Sequence, residues 1–164
     1  MATSMLLPDH VGYPAIAGFN AGPEPSDDRR SSVLVIEDAI IHSNIISRMA
    51  GKVGFAATGA RSYEEACKLL SARQFDCITL DLGLGQRAGF DVLRYLSAAH
   101  CRAWIAVISQ ADRDVCDDMV QLGRALDLNV YIFVQKPIDV ALLRETLEHM
   151  RVQSVLEKFG PAQA

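Results

Sequence analysis

The sequence predicts an α/β fold: a doubly wound, five-stranded parallel sheet with helices on both faces. Two observations carry the prediction. From Ser32 onward, five short apolar runs alternate with five stretches of helical periodicity. The apolar runs are nearly continuous rather than alternating, as expected of strands covered on both faces. Alternation of this kind implies parallel strands joined by right-handed crossovers.

The elements follow in order. "SVLVIED" is a short apolar strand ending in acids. "AIIHSNIISRMAGKVG" reads as a helix, with Ile41, Ile45, Met49 and Val53 on one face and Gly54 closing it. "FAATGA" is a second strand. "SYEEACKLLSAR" opens on Ser62 with Glu65 three residues later, the pattern of a capping box. "FDCITLD" is a third strand, and "AGFDVLRYLSAA" a helix with Phe90, Leu93 and Leu96 at helical spacing. "AWIAVIS" is a fourth strand. "ADRDVCDDMVQLGRALDL" is a helix whose opening acids suit its positive end. "NVYIFVQ" is a fifth strand. A fifth, long helix is expected from about Asp139 to Phe159, with Val140, Leu143, Leu147 and Met150 facing the sheet and Val155, Leu156 and Phe159 continuing beyond them.

Residues 1–31 read differently. Pro8, Pro14, Pro23 and Pro25, with Gly12, Gly18 and Gly22 between them, resist regular structure. They are expected to form a flexible arm, in which "YPAIAGF" is apolar enough to dock on a surface. The organisation expected is therefore an arm (1–31), one domain (32–151), and a helix-five extension and tail (152–164).

Composition narrows the function. The chain has 164 residues, half of them apolar, and a net charge of −4, which argues against sequence-independent nucleic-acid binding. No direct DNA binding is expected. The cysteines Cys67, Cys77, Cys101 and Cys116 stand far apart without a C-x-x-C, and the histidines are equally scattered, so neither suggests a metal knuckle. No apolar run is long enough to span a membrane, and the first residues lack the pattern of a signal peptide. A cytoplasmic protein without membrane association is expected.

In open parallel sheets, ligands bind beyond the carboxyl ends of the strands. The first strand ends in Glu37-Asp38, the third in Asp81 and the fourth in Ser109, and Lys136-Pro137 follows the fifth. Three converging carboxylates repel one another unless a cation holds them. An all-oxygen set points to Mg²⁺. Lys136 would supply positive charge, and Ser109 a hydroxyl. With the ion they could hold the oxygens of a transferring phosphoryl group, with Asp81 as nucleophile.

The residues "VLVIED", "DCITLDLGLGQRAGFDVL", "AVIS" and "FVQKP" together resemble the receiver domain of bacterial two-component response regulators, from about Ser32 to Arg151. The resemblance implies a flavodoxin-like sheet in the order 2-1-3-4-5 and phosphoryl transfer from a sensor histidine kinase with Mg²⁺ bound. It implies Asp81 as phospho-acceptor, with Ser109 and Lys136 beside it. Asp38 and Asp81 would contact the metal directly, Glu37 more often through water, and Gly83 through its carbonyl oxygen. Ser109 and Phe133 would be the switch residues, and the Lys136-Pro137 bond would be cis. "LGRALDLNVYIFVQKPI" is further similar to receivers that precede cyclic-di-GMP phosphodiesterase domains. No output domain is expected here, so the output would be a protein-interaction surface, with a homodimer through helix five.

The departures are specific. Gly85 stands where the family often has proline, and Gln110 where alanine or glycine is usual. Gly83 and Ala111 cannot hydrogen-bond an attacking water through their side chains. Three other readings compete. A phosphorelay shuttle to a histidine phosphotransfer protein would use the same site. A scaffold that no longer takes phosphate is opposed by the intact acids, Ser109 and Lys136. A haloacid-dehalogenase-like phosphatase wants D-x-D, whereas this chain has Asp81-Leu82-Gly83. Gly83, Gly85 and Gly89 do not form a dinucleotide turn, because they follow the third strand and Asp81 would repel a pyrophosphate.

Overall fold

The computed structural model describes residues 30–84 and 88–160. All but the last two residues of the expected arm, together with Gly85, lie outside the described residues. The strands are β1 (Ser32–Ile36), β2 (Ala56–Ala60), β3 (Cys77–Leu80), β4 (Trp104–Ser109) and β5 (Asn129–Gln135). The helices are α1 (Ile40–Lys52), α2 (Tyr63–Ala72), α3 (Ala88–Ala98), α4 (Arg113–Ala125) and α5 (Val140–Phe159). The strands form one parallel sheet in the order β2-β1-β3-β4-β5, as the sequence reading implied.

Two apolar layers sandwich the sheet. On one side Ile46, Met49 and Ala50 of α1, Val53 just after it, and Leu143, Leu147 and Met150 of α5 pack against Val33, Val35, Cys77, Ala106, Ile108 and Val134. On the other, Ala66 of α2 and Val92, Leu93 and Leu96 of α3 pack against Leu34, Ile36, Ile78, Leu80, Ile105 and Val107. Odd and even strand residues thus serve opposite layers, the period-two consequence of the pleat. Burial pushes the Cys77 thiol up to about 12, and Cys77, like the other three cysteines, is free.

Local signals act where the sequence places them. Ser62 Oγ accepts from the Glu65 N–H at 3.1 Å, and the Glu65 carboxylate accepts from the Arg61 N–H at 2.8 Å. Asp139 caps α5 by accepting from the Ala141 and Leu142 N–H groups. The Lys136-Pro137 bond is cis.

Three expected core faces are corrected. Ile41 and Ile45 are exposed, and Ile46, Met49 and Ala50 are the buried stripe of α1, continued by Val53 at its C-cap. Ile40 and Ile41 sit on the first turn, beyond the strand ends, where no sheet lies beneath them. Phe90 is exposed in the first turn of α3, where the Arg94 guanidinium lies over its ring, and Val92 takes its place with Leu93 and Leu96. Val140 is exposed at the start of α5 for the same reason as Ile41, and Leu143, Leu147 and Met150 are fully buried as expected.

The β4–β5 ladder contains a bulge. Ile105 pairs with Val130 and Ala106 with Ile132, leaving Tyr131 as the extra residue. Tyr131 and Ile132 therefore both join the α5 side, and Phe133 turns to the opposite layer. Tyr131 stacks on His149 at 4.4 Å between centroids and meets Trp104 edge-on. Among the described residues, no helix is long and apolar enough to cross a membrane.

Candidate functional site: an acidic cleft at the strand ends

Three hydrogen bonds carry the ladder one residue past the strands and fix the site. The Glu37 N–H donates to Ala60 O, the Asp81 N–H to Ile36 O, and the Lys136 N–H to Ser109 O, at 3.0, 3.0 and 2.9 Å. Each of these residues is thereby anchored by backbone just where its strand stops being covered. Their side chains meet in a cleft of about 540 Å³, lined also by Asp38, His42, Gly83 and Gln110.

Lys136 Nζ lies 2.7 Å from Glu37 Oε2 and 2.7 Å from Asp81 Oδ2, and all three side chains are buried. These charge-assisted bonds are at the short end of the normal range. Asp38 is exposed at the mouth of the cleft. Burial pushes the Glu37 carboxyl above its ordinary range, and the nearby Asp81 charge adds to this against the pull of Lys136. Burial alone would lower Lys136, but its bonds to Asp81 and Glu37 outweigh that and raise it, so the ammonium stays charged.

The second oxygen of each buried acid is held locally. Asp81 Oδ1 accepts from the Gly83 N–H at 2.9 Å, and Glu37 Oε1 accepts from the Ala39 N–H at 3.1 Å. A Cβ on Gly83 would come within 3.3 Å of the Asp81 carboxylate, so a larger residue would crowd it. Ser109 Oγ is buried and accepts from the Ala111 N–H at 3.2 Å. Gln110 is exposed beside the cleft. Phe133 is half-buried on the edge strand and packs on the α2–α3 layer.

Glu37, Asp38 and Asp81 can each offer an oxygen such that the three lie within 4.8 Å of one another. A donor set made only of oxygens, with one exposed carboxylate and room above it, fits a hard cation that keeps part of its water shell. His42 also lines the cleft, although no motif in the sequence marks it. Its Nδ1 is buried without a hydrogen-bond partner, 3.6 Å from Glu37 Oε1. The signal was its position, one helical turn beyond Asp38 on the helix that leaves the cleft.

Fold and site define a doubly wound α/β protein with an acidic, lysine-closed pocket at the carboxyl edge of its sheet. The chain belongs to the response regulator receiver domain family, whose model matches residues 33–148. It thus carries a receiver domain of the two-component signalling family. It is 27% identical to the response regulator protein PilR of Pseudomonas aeruginosa over 116 residues, which is 71% of this chain and 25% of that protein. It is 26% identical to the regulatory protein VirG of Agrobacterium tumefaciens over 148 residues, covering 87% of this chain and 52% of the relative. The chain thus spans a quarter to about half the length of these curated relatives. Among solved structures, a response regulator from Colwellia psychrerythraea superposes with a TM-score of 0.66 at 20% identity, covering 75% of this chain and 98% of that one. A sensor protein from Polaromonas sp. JS666 gives 0.65 at 25% identity, covering 76% and 98%.

Proposed function

We propose that the protein is a phosphorylation-controlled switch in which Asp81 accepts a phosphoryl group from the phosphohistidine of a kinase. The observation that carries this reading is Lys136, whose ammonium bridges Asp81 and Glu37 at 2.7 Å at the base of the cleft. An Asp81 oxygen would attack phosphorus, forming an O–P bond as the P–N bond to the imidazole breaks. The imidazole takes up a proton as it leaves. Such transfers run on positioning and charge neutralisation. Lys136 orients Asp81 and offers positive charge to a phosphoryl oxygen, while the Gly83 N–H holds the other Asp81 oxygen.

Asp38, Asp81 and Glu37, with the Gly83 carbonyl, would hold Mg²⁺, which supplies charge neutralisation to the phosphoryl oxygens when bound. Ser109 Oγ would exchange its bond from the Ala111 N–H for a phosphoryl oxygen, and Phe133 would follow it inward. The chain carries its output on α4, β5 and α5 as a surface for protein partners. A homodimer through α5 is the self-association that surface allows. The protein catalyses only its own phosphoryl gain and loss, and residues 32–151 form the unit that does so. A relay in which Asp81 passes the group on to a second histidine would use the same atoms.

Incubation with Mg²⁺ and acetyl phosphate should add one phosphoryl mass to the intact protein. Asp81→Asn should keep the fold and take up none, because an amide is not a nucleophile here. No mass gain by the wild type, or full uptake by the Asn variant, would overturn the assignment.

A further inference from the structure

Helix α5 has two apolar faces. Leu143, Thr146, Leu147, Met150 and Ser154 are buried against the sheet. At about 100° per residue, Val152, Val155, Leu156 and Phe159 gather on the opposite side. They are exposed by 49%, 37%, 56% and 80%. The matched family region ends at residue 148, so this outer stripe belongs to the part of the helix that lies beyond it.

The last turn of α5 stands at the root of the N-terminal segment. One carboxylate joins them: Asp76 Oδ2 accepts from the Ser32 N–H at 2.7 Å, and Asp76 Oδ1 lies 2.5 Å from Lys158 Nζ. The chain before Ser32 therefore starts beside Val155–Phe159. It starts at the opposite end of the sheet from Ile40 and Ile41, two of the other exposed apolar side chains, which flank the acidic cleft.

We infer that Tyr13–Phe19 of the N-terminal segment docks in cis on the outer stripe of α5. The segment "YPAIAGF" carries no charge, as the stripe carries none. Ten residues lie between Phe19 and Arg30. The eleven steps from one to the other, extended, reach about 36 Å, whereas the stripe from Val152 to Phe159 is only about 10 Å long. The stripe exposes roughly 400 Å² of side chain, about half of the ~800 Å² per partner of a standard interface. A self-contact through it alone is small for a free partner. A tethered segment meets no such threshold, because the tether holds it at a high effective concentration. The inference does not depend on phosphorylation, and Asp81 variants would leave it intact.

Hydrogen–deuterium exchange on the full chain tests it, at a concentration where sedimentation shows a monomer. Peptides covering residues 13–19 should exchange on the order of tenfold more slowly than an unstructured chain. That protection should vanish in Leu156→Ser/Phe159→Ser, whose two side chains are exposed and not needed for folding. Ile16→Ser/Phe19→Ser should remove it equally, with the receiver core unchanged. Random-coil exchange at 13–19 in the wild type, or protection indifferent to the stripe variant, would overturn the inference. So would protection that appears only as the protein dimerises, which would give the stripe to a second copy.

Discussion

Replacing Lys136 by Met removes the cation that, among the described residues, bridges two buried carboxylates. In the wild type both Nζ contacts are 2.7 Å long, and Glu37, Asp81 and Lys136 are all under 9% exposed. Removing one partner of a buried pair costs about 3–5 kcal/mol, because the remaining charge is left without compensation. At about 2–4 °C per kcal/mol for a chain of this size, the melting temperature should fall by on the order of 10 °C in metal-free buffer at pH 8. The pH dependence gives the cause. Glu37 is already raised by burial and by Asp81, and losing Lys136 raises it further. A carboxyl raised in the folded state stabilises while protonated, and that contribution is lost as pH rises through its folded value. The deficit of the variant should therefore shrink as pH falls, by up to about 1.4 kcal/mol per pH unit between the two Glu37 values. Lys136 itself is raised, so in the wild type its contribution is fully present at both pH 5 and pH 8. Urea unfolding followed by far-ultraviolet circular dichroism in EDTA, at pH 5 and pH 8, measures this. Equal stability of the variant and wild type at pH 8, or a deficit that does not change with pH, would refute the reasoning. Adding Glu37→Gln to the variant should recover most of the loss, since an amide does not repel Asp81.

Asp38→Ala should weaken Mg²⁺ binding roughly tenfold by calorimetric titration, since a hard cation uses only one or two carboxylates. It should slightly stabilise the metal-free protein by relieving repulsion in the acid trio. Gln110→Ala should raise the rate of phosphorylation by acetyl phosphate, because the exposed Gln110 side chain lines the approach to Asp81; an unchanged rate removes it as an obstacle. Gly123→Ala should destabilise by about 1–3 kcal/mol in chemical denaturation, because the added Cβ would stand 2.4 Å from Val130 Cγ2 where α4 packs on β5.

The sequence alone determined the alternation of strands and helices, the Ser62 capping box, and the acids and lysine at the strand ends. These are local signals: apolar runs, a cap three residues from its partner, and polar residues where an apolar run stops. They were enough to read the family and to nominate Glu37, Asp38, Asp81, Ser109 and Lys136. Only the tertiary structure decided what those residues do to one another. Lys136 is 99 residues from Glu37 in the chain, and the hydrogen bond between them exists because β5 and β1 end on the same edge of one sheet. Helix faces were misread where a periodic pattern runs past the end of its support, as at Ile41, Phe90 and Val140, since periodicity does not say where the sheet stops. The β5 bulge is the clearest case. Strict alternation would put Tyr131 and Phe133 on one face, but the extra residue at Tyr131 sends them to opposite layers. Pairing register depends on the neighbouring strand, and β4 lies some twenty residues away in sequence, beyond the reach of any local pattern.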